Sequence, residues 1–261
     1  MKITKIISKS NTTQFAFGIC SLNSHPQLWD IFKETKKRGF ISNITINAED
    51  VTEENCQQLA EHCGAVAVSL NKGNKEKAYN IIKKLSQDYG MSQINIHIVL
   101  AEDTIPFIKE VVEDIKKDSR LSKMNALVML SFKDKAQTNC YSPIKQSSYN
   151  DLIKFCEKQE IKFGFDSCSA PLYSNYIKGK KNEQELEQMV EFCESGLFSI
   201  YSNFKGDIYM CSFGEGTNEW KDGLNILDYP SIIDLWYSPK MKEWRKRLLN
   251  NKRNCPIYQI G

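Results

Sequence analysis

Cysteine is the residue in this chain with the most chemistry to offer: nine occur in 261 residues, and four of them share a setting. Cys168 stands in Phe165-Asp166-Ser167-Cys168-Ser169 and Cys193 in Phe192-Cys193-Glu194-Ser195. Cys211 stands in Tyr209-Met210-Cys211-Ser212-Phe213 and Cys255 in Arg253-Asn254-Cys255-Pro256. Each is expected at the end of an element, beside small, polar or proline residues, with Cys193 ending a helix. Backbone N–H groups at such ends can donate to a ligating sulfur. Four thiolates make a closed site for Zn²⁺ or for an iron–sulfur cluster. Their gaps of 25, 18 and 44 residues match no short zinc-ribbon spacing, so a shared metal site and four buried thiols both stand at this point. The other five read as packing residues, since unpaired cysteine behaves mostly as a small buried apolar side chain. Cys56 and Cys63 sit seven apart on one expected helix, too far to share an ion. Cys140 and Cys156 are isolated, and Cys20 ends a strand.

An odd cysteine count excludes complete pairing within the chain. The N-terminal Met1-Lys2-Ile3-Thr4-Lys5-Ile6-Ile7 shows no apolar signal region, so the expected compartment is the reducing cytoplasm. No apolar run approaches the ~18–20 residues of a membrane span, and mean hydropathy is −0.45. Lys+Arg 35 against Asp+Glu 32 leaves +3, without the basic excess of a dedicated nucleic-acid binder. Neither a membrane nor a nucleic acid is an expected partner.

The elements that must position these residues repeat along 1–166. Apolar runs Phe15–Gly18, Ile44–Asn47, Ala65–Ser69, Ile94–Leu100, Ala126–Ser131 and Lys162–Asp166 alternate with helical stretches near 27–38, 52–63, 74–88, 103–117 and 146–159. Strands alternating with helices of this length form βαβ units and a parallel sheet. Thr52 caps the second helix, Asp103 precedes the fourth, and Ser147-Ser148 lie near the start of the fifth.

Within the strands, apolar and polar residues take opposite faces. Ile94, Ile96, Ile98 and Leu100 oppose Asn95 and His97; Ile44 and Ile46 oppose Asn43, Thr45 and Asn47; Val66 and Val68 oppose Ala65, Ala67 and Ser69. A doubly wound sheet covered on both sides would be apolar throughout. A flavodoxin-like layered sheet is therefore the second choice, and the first is a partial, TIM-barrel-like (βα) barrel of about six parallel strands with a wet lumen. Chemistry in such barrels sits at the C-terminal strand ends, here Asn47, Ser69, Ser131 and Asp166. His97 faces the lumen, Lys133 could meet a carboxylate there, and His25 and His62 are a local cap and a surface residue.

After Asp166 the pattern changes to a small α+β unit over 167–261. Asn182-Glu183-Gln184-Glu185 reads as a capping box opening a helix to about Cys193. Leu197–Asn203 and Asp207–Cys211 around Lys205-Gly206 read as a β-hairpin. A last helix runs from Ser238-Pro239 to Leu249. Trp236 and Trp244 read as core, and the basic run Lys242, Arg245, Lys246, Arg247, Lys252, Arg253 as a solvated face.

Together these C-terminal residues, with Cys193-Glu194-Ser195-Gly196-Leu197-Phe198, Gly206-Asp207-Ile208-Tyr209-Met210-Cys211-Ser212-Phe213, Asp234-Leu235-Trp236-Tyr237 and Asn254-Cys255-Pro256, resemble radical SAM proteins with a SPASM-like or twitch-like extension. The resemblance implies a partial barrel over 1–166 and a cluster domain over 167–261. It implies that Cys168, Cys193, Cys211 and Cys255 ligate an auxiliary [4Fe–4S] cluster. It also places SAM or substrate in the lumen near Gly18, Cys20, Asn47, Ser69, Asn95, His97, Ser131 and Asp166.

Two departures qualify that picture. No cysteines here show the family's CxxxCxxC spacing, and Met1 aligns within the helix that follows that motif. The turn that would hold the SAM amino group is Gly18-Ile19-Cys20-Ser21, with one glycine and no carboxylate. The expectation is the C-terminal portion of a radical SAM enzyme acting on a peptide or protein, unable to cleave SAM alone. SAM would bind only with an N-terminal fragment or partner strand supplied. The alternatives are a non-catalytic cluster-bearing binding or electron-transfer module and a zinc-stabilised scaffold.

Overall fold

Alternating burial organises the sheet. In β4 (Ile94–Leu100), Ile94, Ile96, Ile98 and Leu100 are buried, while Asn95 and His97 are half-buried between them. β2 (Ile41–Asn47) buries Ser42, Ile44 and Ile46 and leaves Asn43 and Thr45 on the more open face. The computed structural model describes residues 7, 10–138, 140–217, 220–258 and 260. With β1 (Gln14–Gly18), β3 (Cys63–Ser69), β5 (Ala126–Ser131) and β6 (Phe163–Phe165), these strands form one six-stranded parallel sheet in chain order. A separate antiparallel sheet of three short strands follows. This is the expected α/β architecture, consistent with a partial barrel and a C-terminal hairpin unit.

The crossovers are α1 (Leu28–Lys37), α2 (Glu53–His62), α3 (Lys75–Lys83), α4 (Ile105–Lys117) and α5 (Gln146–Lys158). Thr52 caps α2 as expected. Its hydroxyl accepts from the Asn55 N–H at 3.2 Å, and Asn55 Oδ1 accepts from the Thr52 N–H at 3.0 Å. α4 starts with Pro106 in its first turn and turns Phe107, Ile108, Val111 and Val112 inward. Two details differ from expectation. Cys63 opens β3 instead of ending α2, because the chain passes from helix to strand without a loop. His62 is buried, not on the surface, since it lies on the inner side of α2 with Asn55, Cys56 and Leu59. Among the described residues, no helix is long and apolar enough to cross a membrane.

The chain resolves into two compact units, one of residues 12–130 and 151–164, the other including 131–150 and 165 onward. In the second, α6 (Ala170–Ile177) is followed by α7 (Glu183–Glu187). The helix expected to reach Cys193 is only five residues long. The Asn182 side chain makes no cap bond, Glu183 Oε2 instead accepts from the Gly179 N–H at 2.6 Å, and Met189 beyond it is 72% exposed. Without a cap or a buried apolar stripe the helix does not propagate, and Cys193 lies in an irregular run.

The hairpin forms as β7 (Tyr201–Ser202) and β8 (Asp207–Tyr209), with β9 (Leu224–Asn225) on its far edge. Gly206, at φ +86°, supplies the left-handed turn residue, and Asn203 Oδ1 accepts from the Lys205 and Asp207 N–H groups. α8 (Ile232–Trp236) and α9 (Pro239–Asn250) complete the unit. Ser238 stands at the N-cap of α9 but makes no side-chain cap bond. Trp220 and Trp244, 2% and 3% exposed, meet edge to face at 6.2 Å in its core. Trp236 is half-buried.

Candidate metal centre

Four separate segments meet in the second unit. Cys168 lies between β6 and α6, Cys193 past α7, Cys211 two residues past β8, and Cys255 beyond α9. All four line one cavity of about 190 Å³, whose walls also include Lys133, Phe213, Trp244 and Tyr258.

The donor pattern suits ligating sulfur. The Tyr258 N–H donates to Cys255 Sγ at 3.3 Å, and the Gly214 N–H donates to the Cys211 carbonyl at 3.1 Å, turning the loop at that cysteine. Burial pushes the Cys168 thiol up to about 12, and the nearby Asp166 carboxylate adds to the rise. Burial likewise raises Cys211. A bound metal would take the place of these protons. Among the described residues, no three Cys, His, Asp or Glu side chains stand close enough to hold one ion. A single Zn²⁺ needs sulfurs at about 2.3 Å.

Arginines hold the cysteine-bearing loops. Arg253 Nε donates to the Cys193 carbonyl at 2.9 Å and its Nη2 to the Phe192 carbonyl. Arg245 donates to the carbonyls of Gly196 at 3.1 Å and Trp236 at 2.6 Å; Arg247 donates to that of Pro256 at 3.2 Å. The basic run is thus no plain solvated face: three of its guanidiniums cap loop carbonyls, contacts that charge spacing alone does not reveal. Gly196 (φ +69°) is required where it sits, since an added Cβ would lie 2.8 Å from Trp244.

Lys133 meets its expected carboxylate. Its side chain is 3% exposed, with Nζ 2.7 Å from Asp166 Oδ2 and 2.9 Å from the Ser131 carbonyl it donates to. It shares the cavity wall with Cys168 and lies 4.5 Å over the Phe213 ring. Burial alone would lower its pKa, but Asp166 and then Cys168 outweigh that and hold it above the ordinary lysine value.

The remaining sequence candidates fall in two groups. In the first unit Asn47 and Ser69, at the ends of β2 and β3, share one register row with His97 in the middle of β4, and Gly18 pairs with Thr45 two residues back. Thr45 Oγ1 is 3.3 Å from His97 Nδ1. Asn74, which the sequence marked only as a helix start, is 3% exposed and donates to the Ser69 carbonyl at 2.9 Å and toward Asn47 Oδ1 at 3.5 Å. Asn95 accepts from Asn125 at 2.9 Å, and Cys20 is exposed beyond β1. In the second unit Asp166 Oδ1 accepts from the Ser131 N–H at 3.3 Å and from Ser169 Oγ at 2.9 Å. Missed by sequence reasoning were the cavity walls Phe213, Trp244 and Tyr258, whose only signal was closeness in sequence to a cysteine or a place in the last helix.

No protein-family model matches the chain, and no curated protein sequence does either. Solved structures do. Streptococcus suis SuiB bound to the precursor peptide SuiA superposes with TM-score 0.71 at 15% identity, covering 93% of this chain and 58% of that one. Streptococcus suis SuiB superposes with TM-score 0.66 at 16% identity, covering 92% and 59%. The chain thus spans less than two thirds of the length of these proteins. At this identity the likeness establishes one thing, a shared fold.

Proposed function

We propose that this chain is the auxiliary-cluster-bearing portion of a radical SAM enzyme that modifies a peptide or protein. Cys168, Cys193, Cys211 and Cys255 are the ligands of a [4Fe–4S] cluster in the 167–261 region, and 1–166 is the barrel portion. The observation that carries this reading is the convergence of four cysteines, separated by 25, 18 and 44 residues, on one cavity of about 190 Å³. The shared fold with a protein seen bound to its precursor peptide supports a peptide substrate.

When bound, the cluster supplies a one-electron redox centre. The chain's own residues prepare its seat. An amide donor faces the sulfur of Cys255, Lys133 places a positive charge on the cavity wall it shares with Cys168, and Trp244, Phe213 and Tyr258 supply aromatic walls. No cysteines in this sequence have CxxxCxxC spacing. In this reading SAM cleavage therefore depends on ligands from outside it, and the polar strand row of Asn47, Ser69 and His97 faces SAM or substrate.

Anaerobic reconstitution with iron and sulfide tests the proposal. The protein should take up about four iron atoms per chain and show iron–sulfur charge-transfer absorbance. Alanine at any of the four cysteines should lower the iron content and the thermal stability, because metal-binding energy is folding energy. Alanine at the exposed Cys20 or Cys140 should change neither. Zinc as the bound metal, without visible absorbance, would replace this reading with that of a zinc-stabilised scaffold.

A further inference from the structure

Among the cavity walls, one residue is costly to place there. Lys133 is a buried cation whose side chain is 3% exposed, and burying a charge is unfavourable unless it is paired and hydrogen-bonded. Its partners are Asp166 Oδ2 at 2.7 Å, the Ser131 carbonyl at 2.9 Å and the Phe213 ring at 4.5 Å, and it lines the same cavity as Cys168. A loop lysine serving stability alone has no need to abandon water for a cavity lined by cysteines. We propose that Lys133, held by Asp166, sets the reduction potential of the group bound by the four cysteines, by favouring its reduced, more negatively charged state.

This inference rests on the cluster reading and adds a positioning role within it. Four thiolates around a [4Fe–4S]²⁺ core leave a net charge of −2, and one electron takes it to −3 with no bond made or broken and no proton moved. A fixed cation beside one sulfur stabilises the second state more than the first, most effectively in a low-dielectric site. Net charge, hydrogen bonds to sulfur and exposure are the levers that set cluster potentials. Asp166 works against the cation electrostatically while fixing its position. The pair is therefore a dipole whose two ends should act with opposite sign.

Potentiometric titration of the reconstituted full chain, with dithionite as the electron donor and absorbance as the readout, decides the matter. Lys133→Met should lower the midpoint potential, since the Asp166 charge is then left alone near the cluster. Asp166→Asn, which keeps an acceptor oxygen, should raise it. Lys133→Arg should stay close to the unsubstituted protein. A purely structural role predicts lost cluster without opposite shifts in what remains. Should Lys133→Met fail to fold, the upward shift in Asp166→Asn must still appear. Variants that bind iron with unmoved potentials would overturn this inference alone. Failure of the unsubstituted chain to take up iron would instead defeat the cluster reading, and this inference with it.

Discussion

A single indole N–H, that of Trp244, reaches both the carbonyl oxygen of Ser195 at 3.0 Å and its hydroxyl at 3.1 Å. The two residues are 3% and 5% exposed, so the bond lies out of reach of bulk water. It ties α9 to the irregular run that carries Cys193, where no regular secondary structure holds the backbone in place.

Trp244→Phe removes this donor while keeping most of the aromatic area. The Ser195 carbonyl is then a buried acceptor without its partner, which costs about 1–3 kcal/mol. The metal-free protein should show a lower urea midpoint with an unchanged m-value. An unchanged midpoint would show that the bond contributes nothing.

Alkaline stability should follow buried thiols of the first unit. Burial pushes Cys56 up to about 11 and Cys156, with a contribution from Glu157, up to about 12, both above the ordinary thiol range. Above pH 9 the unfolded chain loses these protons while the folded chain keeps them, so stability is full below pH 9 and falls as pH rises toward 11. The slope is up to roughly 1.4 kcal/mol per pH unit for each thiol. Cys56→Ala should flatten the decline in urea-unfolding free energy measured between pH 8 and pH 11, despite a small packing loss. A decline of the same steepness would locate its cause elsewhere.

Asn74 joins the loop after β3 to the start of α3. Its Oδ1 accepts from the Asn71 N–H at 2.9 Å and its Nδ2 donates to the Ser69 carbonyl at 2.9 Å. Asn74→Ala leaves a donor and an acceptor unpaired and should destabilise by about 1–3 kcal/mol. Asn74→Asp, which sets a buried carboxylate oxygen against the Ser69 carbonyl and Asn47 Oδ1, should cost more than alanine at neutral pH. Paired thermal melts of the two variants check the order.

These cases show what could be read from sequence and what could not. The faces of β4 were legible because one side of Ile94–Leu100 had to be buried and period two admits one solution. The cap on α2 was legible because Thr52 and Asn55 act within four residues of each other. The short α7 was not. Asn182 and Glu185 have the right spacing, but Glu183 turns back to Gly179 and Met189 beyond the helix is exposed. Arg253 was unreadable for the opposite reason. Its partners lie 60 and 61 residues away, and a run of cations looks the same whether it faces solvent or caps loop carbonyls. The convergence of four cysteines was suggested by their neighbours, but only the fold brought their separate elements to one cavity.

Arg253 is also where backbone strain and the candidate metal centre meet. It follows Lys252 beyond α9, and the two have φ of +60° and +52°, a left-handed pair built without glycine. Their N–H groups close back on the carbonyls of Leu248 and Leu249 at 2.9 Å. Each such residue costs on the order of 1 kcal/mol relative to glycine, so the guanidinium contacts to Cys193 and Phe192 must over-determine the conformation. Lys252→Gly should therefore leave the fold intact and change stability by less than about 1 kcal/mol, the relief of strain offsetting the added freedom of the unfolded chain. Arg253→Lys keeps the charge but cannot present a planar fork to two adjacent carbonyls. It should cost about 1.5–3 kcal/mol and loosen the run around Cys193. Limited proteolysis of the metal-free protein should then cut that run faster, while cleavage elsewhere keeps its rate. Equal cleavage rates in Arg253→Lys and the unsubstituted chain would show that the guanidinium does not hold the cysteine-bearing loop.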